Sequence, residues 1–197
     1  MATEIKIVEE AKKPLAMHPK KFALWLFMVS AFMVFAAWTS AYIVRQAEGN
    51  WLIFELPTMF KINTVVIIIS SMTMQWAYFS ARKDKFETTK LATSLTLVLG
   101  AAFLIGQVLA YNELIGNRIH FTSRDSSAVS GSFLYVISGF HAVHVVSGVV
   151  FLVFVLVSVF KLKAHSKNML QMEMCTTYWH FLGGLWLYLF VFLLLNR

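Results

Sequence analysis

Two histidines three residues apart, His141 and His144, stand in the apolar stretch Gly139 to Gly148 (GFHAVHVVSG), and their type and spacing invite a chemical reading. Neutral imidazole ligates both haem iron and simple metal ions. On a helix, a three-residue step puts both rings on one side, with Ser147 and Gly148 a turn further along. The same spacing argues against a metal held by this pair alone. Helical pairs that share an ion stand four apart, or three apart with carboxylates from facing helices, and no carboxylate lies deep in any apolar segment of this chain. A haem between two histidines needs a partner ring on another helix, for which His180 is the candidate. Walker, Rossmann and nucleophile-elbow patterns are absent, and no Ser, His and Asp set suggests hydrolysis. Polar groups at membrane depth avoid lipid tails, because an unpaired donor there is costly. The histidine face is therefore read as a packing or binding surface.

The elements that position this face follow from composition. Of 197 residues, 58% are hydrophobic and 14% charged, and the mean hydropathy is +0.68. Those values exclude a soluble domain and imply an integral membrane protein with one bundle. The net charge of +7 does not point to nucleic acid, because the basic residues sit in short loops beside apolar runs. The single cysteine, Cys175, has no cysteine partner for a disulfide or a metal site.

Charges bound five apolar segments: 22–44, 62–81, 91–111, 131–160 and 176–195. The first has 23 uncharged positions, roughly 34 Å of helix at ~1.5 Å per residue. The fourth exceeds a perpendicular span, so it tilts or extends beyond the bilayer. Residues 1–21 read as a solvated basic tail interrupted by Pro14 and Pro19. A cleavable signal peptide is disfavoured, because the apolar run after the tail is as long as a full span. The predicted fold is all-α, an integral membrane bundle of five transmembrane helices. Twelve basic residues fall in the tail, the 82–90 loop (Arg82, Lys83, Lys85, Lys90) and the 161–167 loop (Lys161, Lys163, Lys167), against five on the other side. The positive-inside rule then makes the N-terminus cytoplasmic and the C-terminus external.

Few polar residues remain within the spans. Gln107 lies deep in the third and is expected to bond a neighbouring helix, a contact worth roughly 0.6 to 2 kcal/mol. Gly100, Ala102, Gly106, Gly139, Gly148, Gly183 and Gly184 are expected to let helices approach closely.

GSFLYVISGFHAVHVVSGVVFL at 131–152, then Glu173, YWHF at 178–181 and Trp186-Leu187, resembles subunit III of the haem-copper oxidases, the cytochrome c oxidase family. Leu56-Pro57, Asn63-Thr64, Ser70-Ser71-Met72-Thr73, Phe103-Leu104, Gln107 and Tyr111 extend the resemblance through the middle helices, over about residues 22 to 195. Two positions depart from it. Ala31, in Ser30-Ala31-Phe32-Met33, and Ala110, before Tyr111, stand where the family often has glutamate. The missing acids count against a proton-carrying role within the membrane and against carbodiimide labelling at the familiar site.

The resemblance implies the short, five-helix form of an accessory subunit. Haem and copper would sit on partner subunits, with no cofactor on this chain. Subunit I would be the main partner, with subunit II and other respiratory subunits beside it, in a bacterial inner membrane. Structural phospholipid would lie between helices. His141, His144, His180, Glu173, Gln107, Tyr178 and Trp179 would then make lipid or subunit contacts, and Arg82, Lys83, Lys161 and Lys163 would neutralise anionic headgroups or simply set topology. Three rival readings stay open: a small transporter, a haem-bearing membrane anchor, and a relative serving a quinol oxidase or nitric oxide reductase.

Overall fold

The computed structural model describes residues 18–49, 51, 56–116, 129–161 and 169–196, which form five helices. In chain order α1 is Pro19–Ala47, α2 Thr58–Arg82, α3 Phe86–Gly116, α4 Val129–Phe160 and α5 Leu170–Leu195. The shortest has 25 residues, which at about 1.5 Å per residue exceeds a hydrocarbon core of ~30 Å. All five are long and apolar enough to cross a membrane. The basic tail up to residue 17, and Lys163, Lys167, Arg118, Arg124 and Arg197, lie outside the described residues.

Local chemistry sets the helix ends. Pro19 opens α1, where its fixed φ suits the first turn and its missing N–H loses no bond. It therefore starts the first span, where the sequence reading has it breaking the tail. His18 caps this end, its Nδ1 accepting from the Lys20 N–H at 3.2 Å. Between α2 and α3 only Lys83, Asp84 and Lys85 intervene, and Asp84 makes the reversal at φ 51°. Aspartate tolerates this left-handed region better than most side chains.

α2, α3, α4 and α5 form a closed ring in which each packs on the next and α5 returns to α2, while α1 packs against α4 and α5. Registers are consistent along the contacts. Gly100 faces Val149 and the Tyr111 hydroxyl bonds Ser138 Oγ at 3.0 Å, so α3 and α4 run antiparallel. Thr73 meets Thr96, and Asn63 lies against Gly106, so α2 and α3 do the same. α1 and α5 run parallel: Lys21 pairs with Glu173 near their starts, and near their ends the Asn196 carbonyl accepts from Tyr42 Oη at 2.9 Å and Gln46 Nε2 at 3.0 Å.

The exterior is as apolar as the interior, unlike a soluble protein's. Large apolar side chains such as Phe22, Trp25, Met33, Val143 and Phe154 point outward, whereas Asn63, Ser70, Thr93, Thr96, Gln107, Ser138 and His141 are buried. A lipid-facing exterior explains the arrangement, since hydrocarbon accepts the apolar groups and rejects the polar ones. Glycine admits the largest interior ring. Trp179 fills the space between Gly100 and Gly148, where an added Cβ would stand 2.7 Å from Trp179 Cη2 at position 100 and 3.3 Å from Cζ3 at position 148. Gly106 plays the same part for the Asn63 amide, which occupies the place of its missing side chain. The other expected positions are less crowded. An added Cβ would make ordinary contact with the Tyr111 hydroxyl at 3.8 Å from position 139 and with Ile67 at 3.7 Å from position 183, whereas it would meet nothing within 4 Å at position 184, beside an open groove, and Ala102 is exposed.

Candidate functional site

The histidine face of α4 divides in the structure. His141 and Gly148 are fully buried, whereas His144 is half-buried and Ser147 exposed. Helix geometry accounts for this. Seven residues return to within about 20° of the starting direction, while steps of three and six fall about 60° and 120° short of whole turns. His144 and Ser147 thus swing out of the interior. His144 Nδ1 lies 2.7 Å from the Phe140 carbonyl of its own helix. Its ring packs on Phe35 and Phe27 of α1, with centroids 5.5 and 6.1 Å away. Ser147 Oγ bonds the Tyr178 hydroxyl of α5 at 2.7 Å.

His141 sits among aromatic rings: Trp186 at 5.2 Å, Phe103 at 5.9 Å and Phe35 at 6.3 Å. Neither of its ring nitrogens has a hydrogen-bond partner, nor has either end of the Gln107 amide, nor Asn63 Nδ2. The expected bond from Gln107 to a neighbouring helix is therefore absent among the described residues. In the α3–α4 register the position opposite Gln107 is Ala142, which offers no polar group. A buried polar group left unpaired costs about 1–3 kcal/mol.

His180 on α5 has the opposite arrangement. Its Nε2 donates to Gln75 Oε1 at 2.9 Å, so Nδ1 is the acceptor for the Ser71 hydroxyl. Both partners stand on α2. The neighbouring Trp179 donates its indole N–H to Ser70 Oγ at 3.1 Å, and Trp186, two turns on, donates to Thr64 Oγ1 at 3.0 Å. One stripe of α5 is thus fastened along one stripe of α2. Of these contacts, Thr64, Ser70 and Ser71 enter the sequence reading only through the resemblance, with no contact role, and Gln75 does not enter it. Their recurrence on one side of α2 at steps near four and seven was the available signal.

His180 also lines three depressions over α5, the first between α1 and α2, the second beside α1 and the third beside α2. The one near the helix starts holds about 370 Å³ and is bordered by Lys21, Glu173, Gln75 and Tyr78. The next, about 450 Å³, is walled by Trp25, Met28, Val29, Phe32 and Phe181. The groove is thus polar at one end and apolar below. Arg82 stands over the Tyr78 ring, 5.9 Å from its centroid. Lys83 and Lys161 are exposed.

These rings do not fit a haem or metal ion. His141 is walled in by aromatic groups, and both nitrogens of His180 are engaged. Among the described residues no three His, Cys, Asp or Glu side chains come together in a metal-binding group.

Comparison with known proteins agrees with the sequence resemblance. The family described as cytochrome c oxidase subunit III matches residues 8–196. Cytochrome c oxidase subunit 3 of Corynebacterium diphtheriae is 30% identical over 174 residues, covering 84% of this chain and 82% of that protein. The proteins of the same name from Pelomedusa subrufa and Petromyzon marinus are each 35% identical, over 138 and 139 residues. Those two matches cover 70% of this chain but only 49% of each relative, so the matched part is about half the length of these two proteins.

Proposed function

The chain belongs to the cytochrome c oxidase subunit III family, and from that premise we propose that it is the accessory membrane subunit of a respiratory haem-copper oxidase. In this reading it carries no redox centre. It packs against the catalytic subunit I, with subunit II nearby, and steadies an enzyme that passes electrons to oxygen and moves protons. The observation that carries the proposal is the use made of the polar side chains. Ser70, Ser71, Gln75, Thr64, Trp179, His180 and Trp186 spend their polar groups joining helix to helix.

The groove beside His180 supports phospholipid as a second ligand. Its charged rim, Lys21 and Glu173, suits a headgroup, and its walls of Trp25, Met28 and Phe32 suit an acyl chain. The basic asymmetry supports a cytoplasmic tail over residues 1–21, a membrane domain over 22–197 and a bacterial inner-membrane location. A reporter fused at Lys85 should read cytoplasmic, and an external signal there overturns this orientation.

The test of function is purification through a tag on this chain in mild detergent. A haem-bearing catalytic chain should co-elute in constant ratio. Stripping this chain should leave the haem spectrum and the initial oxygen consumption per haem nearly unchanged, while shortening activity under sustained turnover. Isolation without any haem protein, or an initial rate that collapses with haem intact, overturns the proposal.

A further inference from the structure

Of the six buried side-chain atoms without a partner among the described residues, Thr93 Oγ1 stands apart on α3 and the other five belong to Asn63, Gln107 and His141. Two contacts and the helix register relate these three residues. The Asn63 amide lies against the backbone of Gly106, the residue before Gln107. The α3–α4 register fixed by Gly100 with Val149 and Tyr111 with Ser138 sets Gln107 across from position 142, beside His141. Phe103, one turn before Gln107, meets the His141 ring at 5.9 Å. Asn63, Gln107 and His141 are 2, 1 and 0% exposed. Between them they leave Asn63 Nδ2, both ends of the Gln107 amide and both imidazole nitrogens without a partner.

The chemistry of this set is specific. Asn63 Nδ2 and Gln107 Nε2 donate, Gln107 Oε1 accepts, and a neutral imidazole contributes one donor and one acceptor. No carboxylate stands at this depth in any helix, so the group has no built-in anion to attract a cation. Mixed donors and acceptors with no net charge, buried on three neighbouring helices, match a ligand that both donates and accepts and is small enough for a closed interior. Water meets that description, since buried waters make about three hydrogen bonds to polar groups that otherwise lack them.

We propose that Asn63, Gln107 and His141 form an internal water-binding site that joins α2, α3 and α4 at the centre of the bundle. The site differs from the groove beside His180, where ring nitrogens already have protein partners. Trp186 borders it through His141, whereas Trp179, equally buried, packs between Gly100 and Gly148 with its indole bonded to Ser70.

That pair of tryptophans supplies the test. Hydroxyl radicals generated by an X-ray pulse in the intact complex, held in lipid nanodiscs, label side chains next to bound water even when they are buried. Oxidation of Trp186 should exceed that of Trp179 several-fold in the unmodified protein. Replacing Gln107→Leu together with His141→Phe should remove that excess while leaving exposed Trp25 unchanged. Equal labelling of the two buried tryptophans overturns the proposal. A cryo-EM map of the unmodified complex that resolves ordered water provides a check independent of the variant's folding. It should show density within hydrogen-bonding distance of the Gln107 amide and the His141 ring. A direct Gln107–His141 bond or a dry contact there overturns the proposal.

Discussion

His180 and His141 belong to adjacent helices of the same apolar bundle, and the structure treats them differently. The α5 ring has a protein partner on each nitrogen, both from α2. The α4 ring has none and is enclosed by Phe35, Phe103 and Trp186. Both are histidines flanked by apolar sequence, so residue type does not decide the outcome. The facing helix does. α2 presents Ser71 and Gln75 toward α5, while toward α4 the neighbouring α3 presents Phe103 and an amide that ends short of any protein group. A histidine within a membrane span thus locks two helices only where the opposing stripe is polar at matching register.

The strongest way to break this contrast is at Gly106, where α3 makes room for the buried Asn63 amide of α2. Gly106→Leu drives a side chain into the space of the buried Asn63 amide and should cost about 3 kcal/mol by overpacking, read as a lowered melting midpoint in detergent. Gly106→Ala should be milder and rescued by Asn63→Ala, with a coupling of roughly 1 kcal/mol in a double-mutant cycle. Purely additive effects there would mean that Asn63 moves aside freely.

Next comes His180→Leu, which strands the Ser71 hydroxyl and the Gln75 amide and should destabilise by about 2 kcal/mol. The measurement is the fraction of purified complex that retains this chain after detergent extraction. His141→Phe sharpens the comparison from the other side. An aromatic replaces a ring without protein partners in an aromatic surrounding, so the same retention assay should change by no more than about 1 kcal/mol. If His141→Phe proves the more damaging of the two, the contrast between the rings is wrong.

The smallest effect is expected where α1 meets α5 at the surface. Lys21 and Glu173 are about one-third exposed, so Lys21→Ala should cost below about 1 kcal/mol, with any loss shrinking as salt is added. An effect as large as that of His180→Leu would mark the pair as part of a desolvated site.

Much of the fold was legible in the sequence because the membrane simplifies the physics. Long apolar runs bounded by Arg82, Lys83, Lys161 and their like can be read as helices without knowing any contact, and Gly100 and Gly148 announce close packing. The pairing of side chains was not legible in the same way. His141 and His144 share a side of α4 by spacing, yet the remainder after whole turns sends one inward and the other toward α1. Gln107 gives no sign that Ala142 stands across from it. Such outcomes depend on the register between helices, which the order of residues along one helix does not contain. The polar stripe of α2 was the part that closer counting could reach, since Thr64, Ser71 and Gln75 recur at helical steps.

The attachment of α1 bears on how the bundle is built in the cell. Its neighbours are α4 and α5, which follow α2 and α3 in the chain, while α2 and α3 form a hairpin through a three-residue turn. As the chain enters the bilayer in order, the α2–α3 hairpin can close as soon as its two strokes are complete. α1 must wait in lipid until α4 and α5 have followed. During that interval Met28, Phe35 and Tyr42, which end up buried, face acyl chains, and the Thr39 hydroxyl is held by the Phe35 and Ala36 carbonyls of its own helix at 3.1 Å each. Because α1 docks on helices made after α2 and α3, a pause in synthesis before α4 should leave it unpacked, read as loss of cross-linking between α1 and the rest of the bundle.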